Sequence, residues 1–311
     1  MSDVAIRTYQ PDDLPALAVL LDEPLDRLRW RWAAPDFQPE TDCWVAVTPV
    51  NRIVGVCFFT LKERESRGWG SLWVHPDYQG QGIGMRLLAA AEAGLLVRRP
   101  DAAELPILFH LGENDFRAAN LLLKRGYEPV RQPFSMRIEL NERHDSPMEL
   151  PAGVVLRDFD AECDWRAVYA ADRAAFAANW GFDLITPEEW RHEHMARPDF
   201  EARLWLLAYA GETLAGLCLN YPGDGIVGHL DTMGVHADWR RRGLGAALVR
   251  LSLHEFRRRG FMPLFAWAWT RGIRQLSGCT GVWVCAWSGA ARSTGKCCRK
   301  GSCPGICPPN L

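Results

Sequence analysis

Two short stretches carry residues whose types and spacing suit them to hold an anion. In Val235-His236-Ala237-Asp238-Trp239-Arg240-Arg241-Arg242-Gly243-Leu244-Gly245-Ala246, two glycines and three arginines follow an apolar extended run, Leu230 to Val235. They precede apolar positions Leu244, Ala247, Leu248 and Leu251, spaced as on one face of a helix. Glycine admits positive φ and lets backbone approach a ligand closely. The first turn of a helix has unpaired N–H groups and a partial positive charge. Strand, glycine turn and helix N-terminus together make a seat for phosphate.

The same device occurs earlier. Val74-His75-Pro76-Asp77-Tyr78-Gln79-Gly80-Gln81-Gly82-Ile83-Gly84 precedes a helical pattern through Leu87, Leu88, Ala91 and Leu95. Val74 pairs with Val235, His75 with His236, Gln79 with Arg240, Gly82 with Gly243 and Gly84 with Gly245, all at one offset of about half the chain. Solenoid units recur every ~20–50 residues, so a repeat this long is a duplicated domain. Neither turn is a Rossmann fingerprint or a Walker loop: G-x-G-x-x-G at the first strand of a βαβ unit and the Walker lysine are both missing.

The elements that position these turns follow the same order twice. Ala5-Ile6-Arg7 reads as a strand, and Asp12 or Asp13 caps a helix through Leu14, Leu17 and Leu20. Cys43 to Thr48 and Ile53 to Leu61 read as antiparallel strands. Trp69 to Val74 feeds the first turn. After its helix come a strand at Ile107 to Leu111, a helix at Asp115 to Arg125 stopped by Gly126, and a closing strand at Ser135 to Leu140. The polar stretch Asn141 to Ala152 reads as the linker. The order then restarts at Val154 to Arg157, with a helix around Cys163 to Ala178. Thr186-Pro187-Glu188-Glu189 starts another helix, with Thr as N-cap, Pro first and Glu third. Paired strands Leu204 to Ala210 and Leu214 to Asn220 then lead to the second turn. The expected domains are 1–140 and 153–260, with a linker at 141–152.

The chain has 311 residues, a formal net charge of -2 and 48% hydrophobic content. This is soluble globular composition, with room for about two domains of ~150 residues. Nothing in the charge favours nucleic acid or membrane. No apolar run of ~20 residues and no signal-peptide core is present, so a cytoplasmic protein is expected. Cys43, Cys57, Cys163 and Cys218 read as buried small hydrophobes. Trp190 and Trp205 read as core, and Trp180 as core or cleft lining. His192-Glu193-His194 reads as a solvated helix surface, because positions i and i+2 do not share a face.

The two halves resemble the GCN5-related N-acetyltransferase family. V-H-P-D-Y-Q-G-Q-G-I-G and V-H-A-D-W-R-R-R-G-L-G fit its acetyl-CoA motif, [RQ]-x-x-G-x-[GA] after a strand ending in Val. The resemblance covers about residues 4–140 and 152–260. The tandem arrangement, and A-F-A-A-N-W-G-F…T-P-E-E-W in the second half, are similar to mycothiol-synthase-type acetyltransferases. The resemblance implies two tandem α/β domains, each a mixed sheet splayed open after its fourth strand. The donor would be acetyl-CoA, its pantetheine arm pairing with Met233-Gly234-Val235 and Leu72-Trp73-Val74. Its pyrophosphate would sit on the amides of Arg241, Arg242, Gly243, Leu244, Gly245 and Ala246, and of Gly80, Gln81, Gly82, Ile83, Gly84 and Met85. Arginine side chains there would add charge-assisted bonds, with Arg240 and Gln79 at the [RQ] position.

The implied reaction is acyl transfer to a primary amine of a small molecule or peptide. A carboxylate or activated water takes the amine proton. Asp231 is the candidate base. It lies four residues before Val235, so on a regular strand it faces the same side. His229, also on that face, is the alternative, and a solvated strand-end role for Asp231 stands beside the catalytic one. The first-half counterpart of Asp231 is Gly70, which has no side chain. The family's N-x-x-A-x-x-L-Y-x-x-x-G-F segment supplies a tyrosine for thiolate departure. The first half offers Asp115, Ala118, Leu121, Leu122, Gly126 and Tyr127, with Leu122 in the tyrosine's place, so it reads as a degenerate structural copy. The competing class is a non-catalytic acyl-CoA-binding or interaction protein.

After Gly260 there is no Asp or Glu, although the earlier chain holds all 38, and six of the ten cysteines lie after residue 278. With synonymous codons read in a shifted frame, residues 261 onward permit H-A-A-V-R-V-G-V-D-A-G-N-P-T-A-L-R-L-Y-G-R-V-G-L-R-V. This contains the missing segment in register. Trp269 and Thr270 force its aspartate, and Trp283 and Val284 force a glycine; other letters depend on codon choice. Residues 261–311 therefore read as an out-of-frame tail that truncates the second domain and removes the far wall of its cleft, impairing it. Cys297, Cys298, Cys303 and Cys307 fit paired zinc-ligand spacing only loosely, so no metal is expected. The basic residues Arg292, Lys296, Arg299 and Lys300 are likewise no sign of nucleic-acid binding.

Overall fold

The computed structural model describes residues 3–61, 67–100, 105–112, 115–131, 134–177, 185–223, 225–261, 264–268, 280–281 and 283–287. The chain forms two compact units, residues 1–133 with 281–311, and residues 134–280. In chain order the first elements are β1 (Ala5–Thr8), α1 (Leu14–Leu21), α2 (Leu25–Trp32), α3 (Pro39–Asp42), β2 (Cys43–Val47), β3 (Ile53–Thr60) and β4 (Gly68–Val74). Then come α4 (Ile83–Arg98), β5 (Ile107–Leu111), α5 (Phe116–Lys124), β6 (Glu128–Arg131) and β7 (Phe134–Ile138). The second run is β8 (Val155–Arg157), α6 (Trp165–Phe176), α7 (Pro187–Met195), β9 (Leu206–Ala210), β10 (Thr213–Tyr221), β11 (Gly228–Val235) and α8 (Leu244–Arg258). Strands β12 (Leu264–Ala268), β13 (Thr280–Gly281) and β14 (Trp283–Trp287) follow.

Each unit is a seven-stranded mixed sheet, in the order β1-β2-β3-β4-β5-β14-β6 and β13-β7-β12-β11-β10-β9-β8. Helices cover both faces, because each sheet is apolar on both. In the first unit α4 packs Ile83, Leu87, Leu88, Ala91 and Leu95 against one face. Leu17, Leu28 and Trp32 of α1 and α2 pack on the other. In the second unit α8 packs Leu244, Leu248, Leu253 and Phe256 on one face. Val168 of α6 and Trp190 of α7 pack on the other, with Trp205, Leu217 and Leu219. Each such buried Leu or Phe contributes ~1.5–3 kcal/mol, so losing one helix's stripe would unfold its unit. The capping box expected at Thr186 is present: its hydroxyl accepts from Glu189 N–H at 3.2 Å.

Three expectations need correction. Strand β7 does not close the first sheet; it pairs antiparallel with β12 in the second, Ile138 opposite Leu264 and Phe134 opposite Ala268. The place beside β5 is taken by β14, and the compact units divide at residue 133. The far side of the second cleft is not without a strand, since Leu-Phe-Ala-Trp-Ala is apolar enough to form β12 alongside β11. Cys163 is exposed, because it sits in the turn that Asp160 organises by accepting from the Glu162 and Cys163 amides. Trp180, the rest of the expected tyrosine-bearing segment and most of the tail lie outside the described residues.

Candidate active site

Both sheets part at the strand that feeds the glycine turn. β11 pairs in parallel with β12 only at Gly228, His229 and Leu230. From there to Val235, among the described residues, its strand partner is β10 alone. β4 likewise pairs with β5 at Gly68, Trp69 and Gly70, and continues to Val74, among the described residues, against β3 alone. Each split leaves one strand edge with backbone N–H and C=O groups that no strand satisfies among the described residues, and buried groups of that kind require a partner. Met233-Gly234-Val235 and Leu72-Trp73-Val74 lie on these edges.

The turns after the splits share their construction. His236 Nδ1 accepts from Asp238 N–H at 3.3 Å, and His75 Nδ1 from Asp77 N–H at 3.3 Å. Gly243 (φ 85°) and Gly82 (φ 79°) are left-handed N-caps, and no side chain caps either helix. Arg241 (φ 63°) and Gly80 (φ 77°) occupy matching left-handed positions, which cost a non-glycine residue ~1–2 kcal/mol. The leading amides, Leu244 to Ala246 and Ile83 to Met85, have no carbonyl one turn earlier in their helices. They and the helix dipole form an anion seat.

The polar side chains of the turns make contacts within them. Arg240 Nε donates to the Val235 carbonyl at 3.0 Å, and Gln79 Nε2 to the Val74 carbonyl at 3.0 Å. These side chains close the turn on its own strand. Arg242 lies over the Trp239 ring at 4.9 Å. Gln81 donates to the Asp77 carbonyl at 3.3 Å.

Asp231 stands at the fork, the first residue of β11 beyond its pairing with β12. The expected common face for Asp231 and Val235 does not hold. The register with β10 slips between Leu219 and Asn220, whose partners are Thr232 and Leu230, so Asp231 is the extra residue of a bulge. A bulge reverses the side-chain alternation across it. Met233 and Val235 pack on the α8 side. Asp231 instead faces Arg197, with Nη1 to Oδ1 at 3.7 Å, and its Oδ2 accepts from the Thr232 hydroxyl at 3.4 Å. Its side chain is 33% exposed. Burial pushes its carboxyl above the usual aspartate range; Arg197, Thr232 and His229 act against that and Asp199 acts with it. On the same side a cavity of about 110 Å³ is lined by Ala171 and Ala175 of α6, Gly216, Gly234 and Arg240.

Around Asp231 lies a polar group that periodicity did not reveal. Arg197 forms a two-pronged pair with Asp199, at 2.9 and 3.0 Å, and its guanidinium lies 3.6 Å from the Tyr221 ring centre. The Tyr221 hydroxyl is 2.9 Å from His194 Nδ1. His194 also stacks on Trp190 at 4.6 Å, so it is not the solvated residue expected. Trp190 Nε1 donates to the buried Asp172 at 2.9 Å. The one sequence signal for this group is the R-P-D run at 197–199, which is indistinguishable there from a surface ion pair.

The first unit lacks this arrangement. β3 and β4 pair without a register slip, and a Cβ on Gly70 would lie 2.3 Å from the Phe109 ring. Leu122, at the tyrosine position, is 1% exposed and belongs to the core. Gly84 is buried, with Leu121 lying where its Cβ would point, whereas Gly245 is only half-buried.

Residues 39–129 match the acetyltransferase (GNAT) domain, and residues 165–272 match the acetyltransferase (GNAT) family. The mycothiol acetyltransferase of Catenulispora acidiphila is 29% identical over 236 residues, covering 72% of this chain and 73% of the relative. That of Thermobispora bispora is 33% identical over 205 residues, covering 61% and 63%. That of Geodermatophilus obscurus is 30% identical over 215 residues, covering 67% of each. The aligned stretch thus leaves about a third of the length of these relatives unmatched. Two solved structures share the fold. A GCN5-related N-acetyltransferase from Sphaerobacter thermophilus superposes with a TM-score of 0.70 at 23% identity, covering 91% of this chain and 95% of that one. A tandem GNAT protein from the clavulanic acid biosynthesis pathway does so with a TM-score of 0.68 at 18% identity, covering 92% and 98%.

Proposed function

This chain belongs to the GCN5-related N-acetyltransferase family, as an acyltransferase with two such domains that takes acetyl-CoA as donor and an amine as acceptor, and on that premise we propose that the second unit carries the reaction with Asp231 as general base. The observation that carries this reading is the position of Asp231 at the fork of a split sheet, partly exposed and turned by a bulge to the face opposite α8. A carboxylate raised above its ordinary range is a stronger base. As the amine nitrogen bonds to the thioester carbonyl, its proton passes to Asp231 and the thiolate leaves. The edge Met233-Gly234-Val235 lines up the donor's arm. The amides of Arg241 to Ala246 hold its diphosphate, and Arg240 fixes the turn by which they converge.

The first unit has the same split and turn, but Gly70 offers no group to accept a proton. Its role in this reading is structural, with Leu72, Trp73, Val74 and the amides of Gly80 to Met85 a vestigial seat. The acceptor proposed here is a mycothiol-related small-molecule amine, a reading supported by relatives that bear the name mycothiol acetyltransferase. Among the described residues no helix is long and apolar enough to cross a membrane. Residues 261–311 are proposed to be an out-of-frame product. The DNA following codon 260 tests that directly, and no frame encoding N-x-x-A-x-x-L-Y would end it.

The functional test is acetyl-CoA turnover by the full chain with a panel of small-molecule amines, amino sugars and peptides, with Asp231→Asn in parallel. Turnover abolished by that substitution supports the reading. Unaltered turnover refutes the base assignment.

A further inference from the structure

We propose that Arg197 is a positioning residue for the acetyl transfer, holding Asp231 at the fork as a carboxylate without forming the close pair that would spend its basicity. This rests on the reading of Asp231 as the base. The argument is geometric. Arg197 and Asp199 are nearly buried, with side chains 11% and 14% exposed. Asp199 takes both prongs of the guanidinium, at 2.9 and 3.0 Å, and the Tyr221 ring supports its face at 3.6 Å. Tyr221 is in turn anchored on His194. The guanidinium is thereby fixed in a plane that reaches Asp231 only at 3.7 Å, beyond a direct hydrogen bond. Asp231 receives the field of the cation, while its oxygens stay free of an N–H pair to Arg197 and can accept a proton. Lysine supplies charge at a point but no planar fork, so it cannot serve Asp199 and Tyr221 together.

The charged and titratable groups that face Asp231 among the described residues all enter this balance. From its own strand come His229 and the Thr232 hydroxyl. Arg197 and Asp199 come from the segment after α7, Tyr221 from β10 and Asp172 from α6. Arg197 heads the groups that favour the charged form of Asp231, and Asp199 opposes it.

The arrangement predicts opposite shifts for two substitutions of one ion pair. The full-length protein is labelled with carboxyl-¹³C aspartate, and the Asp231 signal is assigned by its loss in Asp231→Asn. Its titration is then followed by NMR without donor or acceptor. Arg197→Gln raises the midpoint by about one pH unit or more, since an opposite charge at this range lowers a carboxyl by about one to three units. Asp199→Asn lowers it, because the released guanidinium can turn onto Asp231 and a repelling charge is lost. Arg197→Lys falls between wild type and Arg197→Gln. The acid limb of kcat/KM for acetyl transfer to the best amine of the panel moves in the same directions, with KM for acetyl-CoA unchanged. A midpoint that is unmoved or reversed in either variant overturns the proposal. If Arg197→Gln does not fold, Asp199→Asn alone decides it. Full turnover by Asp231→Asn would instead sink the base reading, and the two failures are separable because the NMR titration needs no turnover.

Discussion

Arg240 donates from Nε to the carbonyl of Val235 at 3.0 Å, tying the phosphate-seat turn to the end of the strand that enters it. Gln79 performs the same task for Val74. A glutamine is therefore sufficient for this contact, and the positive charge is not what the position requires. Arg240→Gln should keep the dissociation constant for acetyl-CoA within about twofold of wild type, whereas Arg240→Ala should weaken it about fivefold, the equivalent of the ~1 kcal/mol net worth of one hydrogen bond. Isothermal titration with acetyl-CoA measures both. Equal weakening by the two would mean that the guanidinium acts on the ligand and not on the turn.

The left-handed caps make a second comparison possible. Gly243 and Gly82 have nearly the same φ, and open space surrounds both. Alanine at either site meets no clash, but it must bear the left-handed conformation, at ~1–2 kcal/mol. Each substitution should lower the melting temperature by a few degrees. Only Gly243→Ala should also reduce acetyl transfer, because in the proposed reading only the second unit turns over. Equal losses of activity from both would assign catalysis to both units.

Asp231→Asn should lower kcat by ~10²–10⁴-fold, the usual worth of a general base, and leave acetyl-CoA binding unchanged. His229→Gln should cost less than tenfold, as His229 lies before the fork, where β11 is still paired with β12. Single-turnover rates at saturating acetyl-CoA separate the two residues. A larger loss from His229→Gln would reverse the assignment.

Much of this was legible in the sequence. The duplicated turn and the recurrence of strand, helix and paired strands gave two mixed-sheet domains, because apolar periodicity and left-handed glycines are local properties. What was not legible depends on pairing. The alternation rule placed Asp231 on the Val235 face, and a single bulge opposite Leu219 and Asn220 reversed it. Nothing in the Leu230 to Val235 run marks that bulge, which arises from register with β10. The Arg197 cluster joins residues from α6, the segment after α7, β10 and β11, and no local spacing connects them. The exchange of strand β7 into the second sheet was hidden likewise, since an apolar alternating strand fits either sheet edge equally well. His194 was misjudged because Tyr221, its partner, is distant in sequence.

Asp172 offers a pH test of stability. It is 6% exposed, and burial raises its carboxyl above the ordinary value, against the bond from Trp190 and the charge of Arg173. The folded state thus binds this proton more tightly than the unfolded chain. Its contribution is most favourable below the unfolded value near 3.8 and is lost as pH rises through the folded value. Asparagine can still accept from Trp190 and carries no charge to bury. Asp172→Asn should therefore raise the melting temperature at pH 7 to 8, with the gain vanishing below about pH 4. Thermal melts across this range check the sign, and a variant less stable than wild type at pH 7 would show that the Asp172–Arg173 attraction outweighs burial.

The first unit's inability to host a base can be tested through Gly70 and Phe109. The Phe109 ring lies against the Gly70 backbone, and a single added Cβ would sit 2.3 Å from its Cζ. Phe109 cannot easily yield, because it is 2% exposed and packs edge-on against Tyr127 at 5.3 Å and Phe59 at 6.1 Å. Gly70→Ala should cost ~1–3 kcal/mol by overpacking. Phe109→Leu shortens the ring away from the strand and should cost less in the Gly70→Ala background than alone, with a coupling of ~0.5–3 kcal/mol between the two sites. Urea denaturation of the four chains in this cycle gives the coupling directly. Additive costs would mean that the strand, and not the ring, makes room. In that event an aspartate could be accommodated at position 70, and the absence of a base there would be a matter of sequence and not of space.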